Sequence, residues 1–198
     1  MATEIDELLG RLRDLEDEFE QKIAESRADF RYRFERNRVV FEDTVKARHK
    51  ELKTGLLRFL RGSPLSTLIT APILYSVFIP IVLLDLWASL YQAVCFPIWR
   101  IPKVRRADYI NLDRRHLSYL NAVQKLNCIY CGYANGLIAY IREIASLSEQ
   151  YWCPIKHALR VKAPHKRYRN FVDYGDAQGF QDRLEALRED LQERGSEL

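Results

Sequence analysis

The sequence predicts an all-α, membrane-attached protein, and three observations carry that expectation. The first 62 residues contain no proline and space their apolar positions by three and four. From Leu65 to Trp99 the chain carries one charged residue, Asp85. Beyond Arg100 it becomes basic, rich in tyrosine and helical in its periodicity. The implied order is a coiled-coil stem (1–62), a membrane segment (63–99), a small basic Cys/His helical domain (100–170) and an acidic amphipathic C-terminal helix (171–198).

In the stem, Ile5, Leu8, Leu12, Leu15 and Phe19 draw a seam down one side of a helix. The pattern loosens after Ile23 and resumes through Phe30, Phe34, Phe41 and Val45 to Leu52, Leu56 and Phe59. As one helix this is a rod of about 90 Å. A rod cannot bury its own seam, so a homodimer or another coiled-coil partner is expected. Residues 1–29 have net charge −6 and residues 30–62 have +6, which sets the basic half beside the membrane segment. Anionic lipid is the partner that arrangement suits, at about 1 kcal/mol per Lys or Arg near the surface. No aromatic-interleaved platform accompanies the basic helix, so nucleic acid is not expected.

The 20 residues from Leu65 to Leu84 hold no charge, which is the length a helix needs to cross a bilayer core. Trp87, Tyr91 and Trp99 sit towards its end as an aromatic belt would. A long charged stretch precedes the run, so it is not read as a signal peptide. Arg58 and Arg61 precede it, and Arg100, Lys103, Arg105 and Arg106 follow. These six are the expected contacts to lipid or to an acidic partner. Both flanks being basic asks for both soluble ends in the cytoplasm. That favours a re-entrant hairpin turning near Pro80, or a bent shallow helix pair, over a single span. A hairpin buries Asp85, at about 2.5–3.5 kcal/mol unless it is paired.

Residues 100–170 carry fourteen bases and four acids. A helix is expected over 113–126, then a break at 127–136 marked by Gly132, Asn135 and Gly136, then a second helix over 137–150. From Asp176 the tail is acidic, with Phe180, Leu184, Leu187 and Leu191 on one face.

Four cysteines complete the pattern. Cys95 lies in the apolar segment as a packing residue. Cys128, Cys131, Cys153 and His157 read as Cys-x2-Cys followed by Cys-x3-His, a tetrahedral zinc pattern whose thiolates nearby Lys and Arg would favour. Haem ligation at Cys153 and an iron–sulfur cluster are the alternatives. A straight helix over 137–150 would carry the chain about 20 Å from Cys131, so the site closes only if that helix is shorter, folds back, or completes the site in a second subunit. No phosphate loop, nucleophile elbow or His-Glu-x-x-His is present, so catalysis is not expected. The function read from the chain is a membrane-attached scaffold or adaptor with a structural metal. A membrane redox, metal- or haem-handling role for Cys128, Cys131 and Cys153 is the alternative.

Overall fold

The computed structural model describes residues 43–196 continuously and, before them, 11, 14, 15, 17–19, 21–23, 32–35 and 38–41. The fold is mostly helical. The chain divides into two compact units, one of residues 1–61 with 113–125 and one of residues 62–112 with 126–198.

In the first unit the described residues between 11 and 23 are helical, and Leu15 and Phe19 of the expected seam are exposed. Ile5, Leu8, Leu12 and Phe30 lie outside the described residues. The stem is not one continuous helix. β1 (Tyr32–Glu35) and β2 (Arg38–Phe41) pair antiparallel, Tyr32 opposite Phe41 and Phe34 opposite Val39. Tyr32, Phe34, Val39, Val40 and Phe41 are aromatic or β-branched, and here that preference overrides a loose helical period. α1 (Asp43–Glu51) follows, and 53–55 separate it from α2 (Leu56–Gly62). Asn121 is buried and forms a capping box with Gln124. Each side-chain oxygen accepts the other residue's backbone N–H at 3.0 Å. That cap starts α5 (Ala122–Trp152) at Asn121, where the sequence suggests a helix already running.

The second unit is built on the apolar segment. α3 (Leu65–Ser76) and α4 (Phe78–Trp99) form one helical run joined at Val77, whose backbone stays right-handed helical. Pro80 falls inside α4 and the chain does not reverse there, so the expected hairpin turn is absent. Pro80 has no N–H to donate to Ser76 C=O, which accounts for the interruption of the helical ladder at Val77, where the backbone nonetheless stays right-handed helical.

α4 ends in a Schellman motif. Arg100 is left-handed (φ 57°), Ile101 N–H reaches Phe96 C=O at 2.9 Å, and Arg100 N–H reaches Pro97 C=O at 3.3 Å. Phe96 and Ile101 are buried in the same core cluster, the apolar contact that usually accompanies the motif. Residues 101–112 then run back along α4 as a strap.

α5 is continuous through 127–136, where the sequence suggests a break. Gly132 and Gly136 are buried inside it, four apart. A Cβ on Gly136 would lie 2.5 Å from Tyr109 C=O and 2.9 Å from Ile110 Cα, so the strap needs glycine there. α5 lies parallel to the apolar run. Tyr75 bonds Asn127, Phe78 packs on Tyr130 and Tyr133, Gln92 meets Tyr140, and Trp99 stacks on Tyr151.

α6 (Ala177–Ser196) closes the unit, its Leu191 entering a core of Ala88, Phe96, Ile101, Leu137, Tyr140, Ile144 and Leu147. Gln150 donates to Leu187 C=O and to Asp190, and Gln192 donates to Trp99 C=O. The apolar segment, the basic region and the acidic tail therefore share one core.

Candidate membrane interface

One helical run, Leu65–Trp99, is long and apolar enough to cross a membrane, and its most apolar window is not buried inside the protein. A core helix of the same composition would be covered along that window. Leu65, Ile73, Trp87 and Ile98 are each about 70% exposed (71%, 69%, 71% and 71%). Ile69, Ile79, Leu83, Leu86, Leu90 and Val94 extend the same exposed surface. Single exposed apolar residues are ordinary, but a contiguous face of this length marks a membrane or protein contact.

The opposite side of α4 is polar where it meets the strap. Gln92 is buried, its amide donating to Tyr140 Oη at 2.8 Å while its oxygen accepts Val104 N–H at 2.6 Å. Two turns earlier Asp85 meets Arg106 in a two-point ion pair. Ser89 and Tyr133 donate to the same carboxylate. In the sequence Asp85 is a cost within an apolar segment, and the strap supplies its partner. Burial, and then the hydrogen bond to Asp85, push the Tyr133 hydroxyl up to about 12. The Arg106 guanidinium, hydrogen-bonded to Asp85, is held more firmly protonated than usual.

This changes the role of one of the six expected lipid contacts. Arg106 turns its guanidinium to Asp85. Arg58, Arg61, Arg100, Lys103 and Arg105 keep theirs at the surface, Arg105 lying 3.9 Å from Asp108. At the far end of the run Trp99 gathers Tyr91, Tyr151 and Trp152 around it, with centroids 5.2–5.9 Å away. The expected belt therefore draws two of its rings from α5, which the sequence does not reveal.

The proposed metal ligands are not brought together. Cys128 and Cys131 stand one turn apart in the first half of α5, whereas Cys153 follows its last residue. Cys153 is twenty-two positions beyond Cys131 along unbroken helix, about 33 Å, while zinc needs all its ligands within about 2.3 Å. His157 is exposed and stacked on Tyr168, its backbone N–H donating to that hydroxyl at 2.6 Å. All four cysteines are free thiols, and no metal-holding cluster exists among the described residues. Burial and then Glu149 push the Cys153 thiol up, against the expected depression by Lys and Arg.

The loop after Cys153 is pinned to the flank of α5. Arg167 bonds Glu143 and Ser146, His165 bonds Glu149 at 2.9 Å, and Arg142 donates to the carbonyl of left-handed Ala163 at 2.6 Å. Lys156 N–H and Val172 N–H close its neck on Val172 and Pro154 carbonyls.

Comparison with known proteins gives no match to any family profile, curated protein or solved structure.

Proposed function

We propose that the chain is a membrane-surface scaffold whose apolar run lies along one leaflet, with both soluble ends on the cytoplasmic side. The observation that carries this reading is the exposed apolar face of Leu65–Trp99 opposite the strap. Three arguments favour lying over crossing. The run of 35 residues is about 52 Å long, well beyond a hydrocarbon core of about 30 Å. From Ile81 onward α4 is divided by face and not by end, polar under the strap and apolar opposite, which is the pattern of an interfacial helix. A crossing by Leu65–Leu84 would separate the two basic flanks and put Tyr75, with its partner Asn127, at the bilayer centre.

Arg100, Lys103 and Arg105, exposed at the end of α4 and on the strap, are then contacts for anionic headgroups, and Arg58 and Arg61 are proposed as further contacts from the first unit. Leu15 and Phe19, exposed on the N-terminal helical segment, suit a helical partner or a second copy, which is the adaptor part of the reading.

Alkaline carbonate washing of membranes carrying the full chain, followed by protease treatment of tags at both termini, tests the proposal. Retention in the pellet with both tags cleaved from the same side is expected. Release into the supernatant overturns membrane attachment, and protection of one tag alone overturns the in-plane arrangement.

A further inference from the structure

α5 carries a second, largely apolar face that anchoring by the apolar run does not use. From Leu126 to Ile141 the sequence has no charged residue, and Cys131, Ile138, Ala145 and Trp152 recur every seven positions, all exposed. Ile138 is 60% exposed and Trp152 51%. Ala134 and Ile141 fall beside them on the same side at helical spacing. Arg142 and Glu149 fall within about 40° of Ile138, at the edge of this stripe, and their side chains turn to the following loop. Arg142 bonds Ala163 C=O, Glu143 bonds Arg167, and Glu149 bonds His165.

The strap fixes which way this stripe faces. It touches α4 at Asp85 and Gln92 and α5 at Gly136, so it sits on one side of the parallel pair. A helical residue two positions away points about 200° round the axis. On α4 that places Leu83, Leu90 and Val94 opposite the strap, and all three are exposed. On α5 it places Ile138 opposite the strap. The two faces are therefore continuous, and the Trp99–Trp152 contact joins them at one end.

We infer that α5 lies in the leaflet beside α4, its Cys131–Ile138–Ala145–Trp152 stripe covered by lipid acyl chains. The membrane-contacting surface is then a two-helix raft, with the strap and α6 on its aqueous side. The occupant is lipid and not a second copy, because the stripe continues an apolar face that already runs along the neighbouring helix. This inference rests on the membrane reading of the apolar run.

The native thiols test it. Cys131 lies on the stripe, and Cys153 is exposed beyond the end of the helix. The full chain is bound to preformed vesicles, washed with carbonate, and treated with N-ethylmaleimide, which crosses bilayers and reacts with thiolate in water. Peptide mass mapping then compares the two sites. Cys131 is expected to react many-fold more slowly on vesicles than in the lipid-free chain, while Cys153, whose raised thiol pKa is common to both states, keeps its rate, and Ile138→Asp is expected to restore Cys131 reactivity without changing the far-UV melting curve. Equal rates for Cys131 on vesicles and in the lipid-free chain overturn the inference. So does an oxidant-induced dimer that disappears in Cys131→Ser, since that outcome puts a second copy on the stripe. Loss of the chain from the vesicles on washing, by contrast, overturns the anchor reading itself.

Discussion

Asp85 and Arg106 meet at two points, Nη2 to Oδ2 at 2.6 Å and Nε to Oδ1 at 3.2 Å, and Tyr133 Oη donates to the same Oδ2 at 2.7 Å. The pair ties the strap to α4 from a separation of 21 residues, and the tyrosine adds α5. Arg106→Ala leaves the largely buried carboxylate without its cation. Breaking a buried pair costs about 3–5 kcal/mol, and because Arg106 is 48% exposed the expected loss is about 2 kcal/mol. Asp85→Asn is expected to cost less, since the amide still accepts from Tyr133. Denaturant unfolding of both single variants and the double variant measures the coupling. An additive double variant would show that the pair contributes nothing.

Tyr133 makes stability fall at alkaline pH. Its hydroxyl ionises near 10 when unfolded and is pushed up to about 12 when folded. Between those values the unfolded chain has released a proton that the folded chain keeps, so stability drops as pH rises from about 10 to about 12. Thermal melts across that range are expected to fall steeply for the wild type and less for Tyr133→Phe. Parallel pH profiles for the two proteins would refute the assignment.

Gly136→Ala drives a methyl into the strap backbone, at 2.5 Å from Tyr109 C=O and 2.9 Å from Ile110 Cα. Neither is the flexible end of a side chain. The expected loss is about 1–3 kcal/mol, the usual range for overpacking. Gly62→Ala, with open space around it, serves as the control. Equal unfolding midpoints for the two variants would contradict the close approach.

Arg100→Gly separates folding from surface charge. The left-handed C′ position favours glycine, so the variant is expected to gain about 0.5–1 kcal/mol in unfolding free energy. It also removes one exposed cation, so its binding to anionic vesicles should weaken by about 1 kcal/mol. Sedimentation with vesicles and thermal melting should therefore move in opposite directions.

The apolar run is legible in the sequence because its signal is local, a matter of length and composition. Its companion is not. Gly132 and Gly136 read as a helix break because glycine is a poor helix former, yet both are buried inside a continuous helix, and Gly136 is there because the strap backbone crosses it. The uncharged stretch from Leu126 to Ile141 is the available signal, and it is too short to draw notice on hydropathy alone. Once α5 is continuous, the Cys-x2-Cys and Cys-x3-His pairs move apart, so a metal pattern read from spacing fails on one helix length. Cys131→Ser and Cys153→Ser are accordingly expected to leave the melting temperature unchanged. A large drop in either would restore a shared site built between chains. The β1–β2 pair escapes notice because a loose three-four spacing accommodates Phe34 and Phe41 as readily as a hairpin does.

The parallel arrangement of α4 and α5 has a consequence for the order in which the protein is made. The partner of Trp99 is Tyr151, and at about 5–20 residues per second the ribosome needs roughly 3–10 s to travel between them. The strap is made in about the first quarter of that interval, but through the rest of it the apolar run has no companion helix to cover it. A nascent chain therefore presents this apolar face for seconds before α5 can pair with it, an interval in which a membrane or a chaperone would have to cover it.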